Sequence, residues 1–186
     1  MEFTGERVIP EHMKGQIKVY QAHIARYNFA LMYARNKKVL DAACGSGYGT
    51  DLLYDVAESI VGIDICEQAM ELADKKYRPL FTVGDLDDHF PPHQYDIVIS
   101  FETIEHLDNP EVFLENVRNH SKEFLFSIPI NDESKFHKKA YTVEEIEKLI
   151  GKYFDEVEWF HQKGFNIAKG LRAKYLIGHA KISART

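Results

Sequence analysis

Between residues 12 and 35, apolar side chains recur at Ile17, Tyr20, Ile24, Tyr27, Leu31 and Ala34. Spacings of three and four predict an amphipathic helix. Beyond residue 36 the period changes. Short apolar runs at 37–42, 59–64, 80–83, 95–100 and 124–128 predict five strands. The fourth is nearly continuous in apolar residues, as a strand covered on both faces should be. Helices are expected between them: from the glycines after residue 42 to about 57, over 67–77 with Pro79 as its stop, and over 110–120. Pro129 ends the fifth strand. Thr142, with Glu145 three residues on, forms a capping box that opens another helix. The stretches 156–162 and 174–182 predict two more strands. Strand–helix alternation of this kind means an α/β fold around an open, mostly parallel sheet with helices on both faces.

The length, 186 residues, suits one domain. Hydrophobic residues make up 45% and charged residues 28%, the balance of an ordinary globular protein. No apolar run approaches the ~18–20 residues of a membrane span, and no basic stretch leads into an apolar one at the start. Two cysteines, Cys44 and Cys66, are too few for a disulfide scaffold, so a reducing, cytoplasmic setting is expected. Net charge is 23 − 29 = −6, which argues against a dedicated nucleic-acid coat without excluding nucleic acid as a partner. The tail departs from that balance: Lys163, Lys169, Arg172, Lys174, Lys181 and Arg185 occur there with no acid. Two readings stand, a solvated face of late strands or a weak patch for an anionic substrate.

In an open parallel sheet, ligands bind beyond the carboxyl ends of the strands. The first strand runs into Asp41-Ala42-Ala43-Cys44-Gly45-Ser46-Gly47-Tyr48-Gly49. Glycines there permit close approach of a ligand to the backbone. The dinucleotide fingerprint fails, because Thr50 or Leu52 stands where its third glycine should be. Acids specify the ligand better. Asp64 ends the second strand, 23 residues after Asp41, where a carboxylate accepts from ribose hydroxyls. Asp85 follows the third strand and suits an exocyclic amine. A nucleoside with a cationic rather than a phosphorylated tail fits these acids.

The segments Val39–Gly47, Val61-Gly62-Ile63-Asp64, Gly84-Asp85-Leu86 and Tyr95–Ser100, in that order and spacing, resemble the class I S-adenosylmethionine-dependent methyltransferases. Ala43 departs from the glycine many members carry. The resemblance implies a Rossmann-like sheet and S-adenosyl-L-methionine as cofactor. It implies Asp64 at the ribose, Asp85 and Leu86 at the adenine, and the loop from Asp41 through Ala43 and Gly45 to Gly47 at the methionine moiety. Ile65, Phe101 and Arg26 complete the cofactor residues expected. Residues 1–35 then form a lid segment and helix, and 36–186 the cofactor-binding domain.

After the fourth strand comes Phe101-Glu102-Thr103-Ile104-Glu105-His106-Leu107. On a helical turn, Glu102, Glu105 and His106 would share a face. Two carboxylates and an imidazole are ligands for Mg²⁺, Mn²⁺ or Zn²⁺. The pattern looks like that of two metal-using branches, the ubiquinone-biosynthesis O-methyltransferases and the small-RNA 3′-terminal 2′-O-methyltransferases. Similarity to the second implies His137, ahead of Tyr141-Thr142, as a fourth ligand. A metal-free alternative keeps Glu105 and His106 as the catalytic pair, with His106 as general base.

Thr4–Pro10 and His23–Ala30 resemble the leader of bacterial small-molecule methyltransferases, whose helix covers cofactor and acceptor. Tyr20, His23 and Arg26 would then reach the ligand; otherwise the helix only caps the sheet. The expectation is an O-methyltransferase acting on a small-molecule acceptor. Its alternatives are an RNA ribose 2′-O-methyltransferase and a non-catalytic cofactor-binding subunit. The oligomeric state is open.

Overall fold

The computed structural model describes residues 17–183. The leader at 4–10 and residues 12–16 of the expected first helix lie outside the described residues. Helix α1 (Ile17–Ala34) is followed by β1 (Lys38–Ala42), α2 (Tyr48–Tyr54), β2 (Ser59–Asp64), α3 (Glu67–Lys76), β3 (Leu80–Val83) and β4 (Tyr95–Phe101). A 3₁₀ turn (Ile104–His106), α4 (Pro110–His120), β5 (Ser121–Pro129), α5 (Val143–Ile150), β6 (Glu156–Lys163), β7 (Asn166–Ala168) and β8 (Tyr175–Lys181) complete the chain.

The strands form one sheet in the order β3-β2-β1-β4-β5-β8-β6-β7. Strands β1 to β5 are parallel, and β8 runs antiparallel between β5 and β6. Strand order reverses between β1 and β4, so the crevice expected for a ligand opens beyond Ala42 and Phe101. Period-two alternation divides the core. Val39, Ile97, Ile99, Leu125 and Ile177 face Tyr27, Ala30, Ala34 and Leu53 on one side of the sheet. Leu40, Val98, Phe124 and Phe126 face Phe113, Val117, Ile146 and Ile150 on the other.

The capping box at Thr142 is present in full, with the Glu145 N–H donating to its hydroxyl at 3.2 Å and the Thr142 N–H to Glu145 at 2.9 Å. Two boundaries are shorter than the pattern suggests. Helix α2 stops at Tyr54 and α3 at Lys76. Strand β7 has no counterpart in the sequence reading, because three residues closing a hairpin on β6 are too short to show a period.

Trp159 and Phe160 belong to the core, the first edge-on to Phe126 at 5.7 Å and the second to Phe29 at 5.1 Å. The basic tail is partly neutralised from elsewhere in the chain: Lys169 pairs with Glu158 at 3.1 Å and Lys174 with Asp132 at 2.6 Å. Both cysteines are free thiols, and burial pushes the Cys44 thiol well above its ordinary pKa. Among the described residues no helix is long and apolar enough to cross a membrane.

Candidate active site

A cavity of about 410 Å³ opens at the switch point. Its floor is the loop after β1, where Ala43 (φ 60°), Gly45 (φ 61°) and Gly47 (φ 79°) are all left-handed. That conformation costs an alanine about 1–2 kcal/mol, so Ala43 holds the shape glycine would adopt freely. A Cβ placed on Gly45 would meet nothing within 4 Å, which leaves the backbone bare toward the cavity. Gly47 has another role: a Cβ there would strike Ala73 and Phe81 at 2.8 Å, and the residue does not line the cavity. Gly47 thus packs beneath the loop, against α3 and β3.

Asp64 is at the wall as expected. Its two oxygens accept from the N–H groups of Gly45 and Cys66, both at 2.9 Å, which ties the β2 end to the β1 loop. Ile65, Asp85, Leu86 and Phe101 line the same cavity. Asp85 accepts from the Asp87 N–H at 3.1 Å. Asp87 lines the cavity too and accepts from Asp108 N–H (3.1 Å) and Asn109 N–H (2.7 Å), joining the β3 end to the segment after β4. The run Asp85-Leu86-Asp87-Asp88 was the only sequence signal for Asp87.

Asp41 is fully buried behind the loop rather than at the wall. It accepts from the Thr50 hydroxyl at 2.7 Å and from the Tyr27 hydroxyl at 3.3 Å. Burial raises its pKa to about 7 against the pull of those two donors. From there it supports Tyr27, which lines the cavity.

Arg26 lies behind the cavity as well. Only 1% exposed, its guanidinium donates to Gln162 at 2.7 Å and to Glu102, and it stacks over Tyr175 at 5.1 Å. These contacts turn it away from the cavity, whereas His23, one turn earlier on α1, reaches the wall. The N-terminal half of α1 thus borders the cavity while Ala30 and Ala34 pack in the core.

Glu102 does not share a helical face with Glu105 and His106. It precedes the 3₁₀ turn in a left-handed conformation (φ 53°), which swings its carboxylate toward Arg26 and toward His23 at 3.5 Å. Burial would raise its pKa, but the Arg26 and His23 side chains bring it down to about 2.

Glu105, His106 and His137 do converge, with one ligand atom from each lying within 4.8 Å of the others. The Glu105 carboxylate is 1% exposed, neither oxygen has a hydrogen-bond partner among the described residues, and burial pushes its pKa well up. His106 Nδ1 lies 3.0 Å from the Phe136 carbonyl and His137 Nδ1 lies 2.9 Å from the Asp132 carbonyl. A carbonyl only accepts, so in the neutral rings Nδ1 carries the proton and Nε2 the lone pair. Lys138 and Leu107 also line the cavity. No sequence signal marked Lys138, which arrives because its N–H donates to the Glu105 carbonyl at 2.8 Å.

Residues 40–123 match the family model of a methyltransferase domain. By that match the chain carries a methyltransferase domain, and the relatives it resembles are S-adenosylmethionine-dependent methyltransferases. A probable S-adenosylmethionine-dependent methyltransferase of Mycolicibacterium smegmatis is 31% identical over 134 residues, covering 69% of this chain and 52% of the relative. A ubiquinone biosynthesis O-methyltransferase of Hydrogenovibrio crunogenus is 26% identical over 127 residues, covering 63% of this chain and 53% of that one. The chain thus spans about half the length of those relatives. In fold it is similar to magnesium protoporphyrin IX methyltransferase from Synechocystis PCC 6803 with bound SAH. The TM-score is 0.71 at 15% identity, over 97% of this chain and 91% of that one.

Proposed function

We propose that this chain methylates an oxygen atom of a small acceptor, with S-adenosyl-L-methionine as donor. The lining fits the donor part by part: Asp64 and Ile65 for the ribose, Asp85 and Leu86 for the adenine, the bare backbone at Gly45 and the Ala43 turn for the methionine moiety. When bound, the cofactor supplies an electrophilic methyl on a positively charged sulfur. The chain's own contribution is alignment of the acceptor against it and removal of the hydroxyl proton.

One observation carries this reading. His106 stands in the same cavity wall as the strand-end acids, and its Nδ1, 3.0 Å from the Phe136 carbonyl, leaves Nε2 as the ring atom that would act as base. His23 of α1 and Lys138 of the β5–α5 segment border the region the acceptor would enter. The acids around the cavity disfavour a polyanionic acceptor such as RNA. Two free thiols agree with the reducing cytoplasm expected of the composition.

A second reading adds a divalent ion at Glu105, His106 and His137, and the partnerless Glu105 carboxylate favours it. A buried carboxylate without a partner is costly, and two imidazoles oriented by backbone carbonyls are the usual company of a bound metal. One carboxylate and two imidazoles suit Zn²⁺ or Mn²⁺ better than Mg²⁺. Such an ion would lower the pKa of an acceptor hydroxyl.

The test is transfer of isotope-labelled methyl from S-adenosylmethionine into a host extract separated into metabolite and RNA fractions, with and without chelator. Label in the metabolite fraction, either stable to alkali as a methyl ether or released by alkali as methanol from a methyl ester, is the expected result. Loss of that label with chelator selects the second reading. Label in RNA, or none at all, overturns the proposal.

A further inference from the structure

Three aromatic rings, Tyr27, Tyr48 and Phe101, line the cavity beside the glycine loop, and each is almost wholly enclosed, at 5%, 8% and 7% exposure. They are mutually braced. Tyr27 sits edge-on to Tyr48 at 5.8 Å and to Phe101 at 5.1 Å, and Tyr20 backs Tyr48 at 5.6 Å. Tyr27 lies in a notch that exists only because residue 49 is glycine: a Cβ there would stand 2.0 Å from its ring. Its hydroxyl donates into the Asp41 carboxylate at 3.3 Å, which enriches the ring in electron density.

We propose that Tyr27, Tyr48 and Phe101 form an aromatic wall that discriminates the cationic methyl donor from its demethylated product. The proposal rests on the cofactor assignment above and goes beyond it. Donor and product share adenosine, ammonium and carboxylate; they differ in one methyl and the positive charge it places on sulfur. Hydrogen bonds to the shared parts hold both alike. A ring face attracts a cation and is indifferent to a neutral thioether. Asp41, behind Tyr27, is a positioning residue in this scheme. The consequence is easier displacement of spent product by fresh donor after each transfer.

The experiment is titration calorimetry on the full chain. Three probes are used: S-adenosylmethionine, S-adenosylhomocysteine, and an analogue bearing a protonated amine in place of the sulfonium. The unmodified chain should bind both cations more tightly than the neutral thioether, by about three- to thirtyfold. Tyr48→Leu and Phe101→Leu should each shrink that preference, losing several-fold more affinity for the two cations than for the thioether. Tyr48→Phe, which keeps the ring, should retain the preference. Equal affinity for all three probes in the unmodified chain overturns the proposal. So does an equal loss for cation and thioether in Tyr48→Leu, which would mark the ring as general packing. Binding of none of the probes would overturn the cofactor assignment itself, and this inference with it.

Discussion

Arg26 donates its guanidinium to the carboxylate of Glu102, 76 residues further along the chain, and this buried contact fastens α1 to the segment after β4. The pair decides where Glu102 points, and so which residues remain to meet at Glu105. Removing the cation would leave a carboxylate that is 23% exposed with only His23, at 3.5 Å, beside it. Arg26→Met is expected to cost about 3 kcal/mol in urea unfolding, the lower end for a broken buried pair. The pH dependence has a definite sign. Glu102 is depressed from 4.5 to about 2, so its stabilisation is complete above pH 4.5 and lost as pH falls toward 2. Arg26→Met should flatten the stability profile in that window, and an unchanged acid limb would refute the pairing.

Asp41 behaves in the opposite way. Its pKa is raised, chiefly by burial, from 3.8 to about 7. Between those values the unfolded chain ionises first, so this group lowers stability as pH rises through the window and has no further effect above 7. Asp41→Asn keeps an acceptor for Thr50 and Tyr27 but cannot ionise. The variant should gain on the unmodified protein from pH 4 to pH 7, by at most about 4 kcal/mol for a shift of this size. Thermal unfolding of both proteins across that range provides the comparison, and a constant difference would contradict the assignment.

Asp64→Ala removes the anchor of the Gly45 and Cys66 amides and, with it, the proposed ribose acceptor. Affinity for S-adenosylhomocysteine should fall at least about a hundredfold, because two hydroxyl contacts to a charged acceptor are lost together. Calorimetry giving an unaltered dissociation constant would sink the ribose assignment.

The Glu105, His106 and His137 group makes a prediction that separates it from the four-ligand set suggested by sequence. After loading with Zn²⁺ or Mn²⁺ and desalting, His137→Ala and Glu105→Gln should each retain less metal by tenfold or more, roughly the cost of losing one ligand contact. Glu102→Gln should retain as much as the unmodified chain, since that carboxylate is committed to Arg26. Metal loss in Glu102→Gln would restore the sequence-derived set. No metal in any of the four proteins would leave His106 as a metal-free base.

The strands and the acids at their ends were legible because each rests on local pattern. A buried strand shows its period within six residues, and Asp64 and Asp85 follow their strands directly. What stayed hidden depends on distant partners. The contacts of the Arg26 guanidinium with Gln162, 136 residues away, and with Glu102 leave no mark in the local pattern. The face shared by Glu102, Glu105 and His106 assumed a regular helical turn, whereas Glu102 is left-handed. The loop's glycines look equivalent as letters, yet Gly45 faces the cavity, Gly47 packs on Phe81, and Gly49 makes room for Tyr27.

Gly49 offers the most direct test of how α1 is seated. With a Cβ 2.0 Å from the Tyr27 ring, Gly49→Ala forces the ring out of its notch and away from Asp41. Overpacking of this kind costs about 1–3 kcal/mol, and the broken contact with a buried carboxylate adds to it. Tyr27→Ala alone should be destabilising as well, since it empties a site that is 5% exposed. The two changes relieve the same collision, so their effects should not add. The double variant should be clearly more stable than the sum of the single losses implies, by at least about 1 kcal/mol of coupling in a denaturation cycle. Additive losses would mean that the ring does not occupy the notch in solution, and the path from Asp41 through Tyr27 to the cavity wall would fail with it.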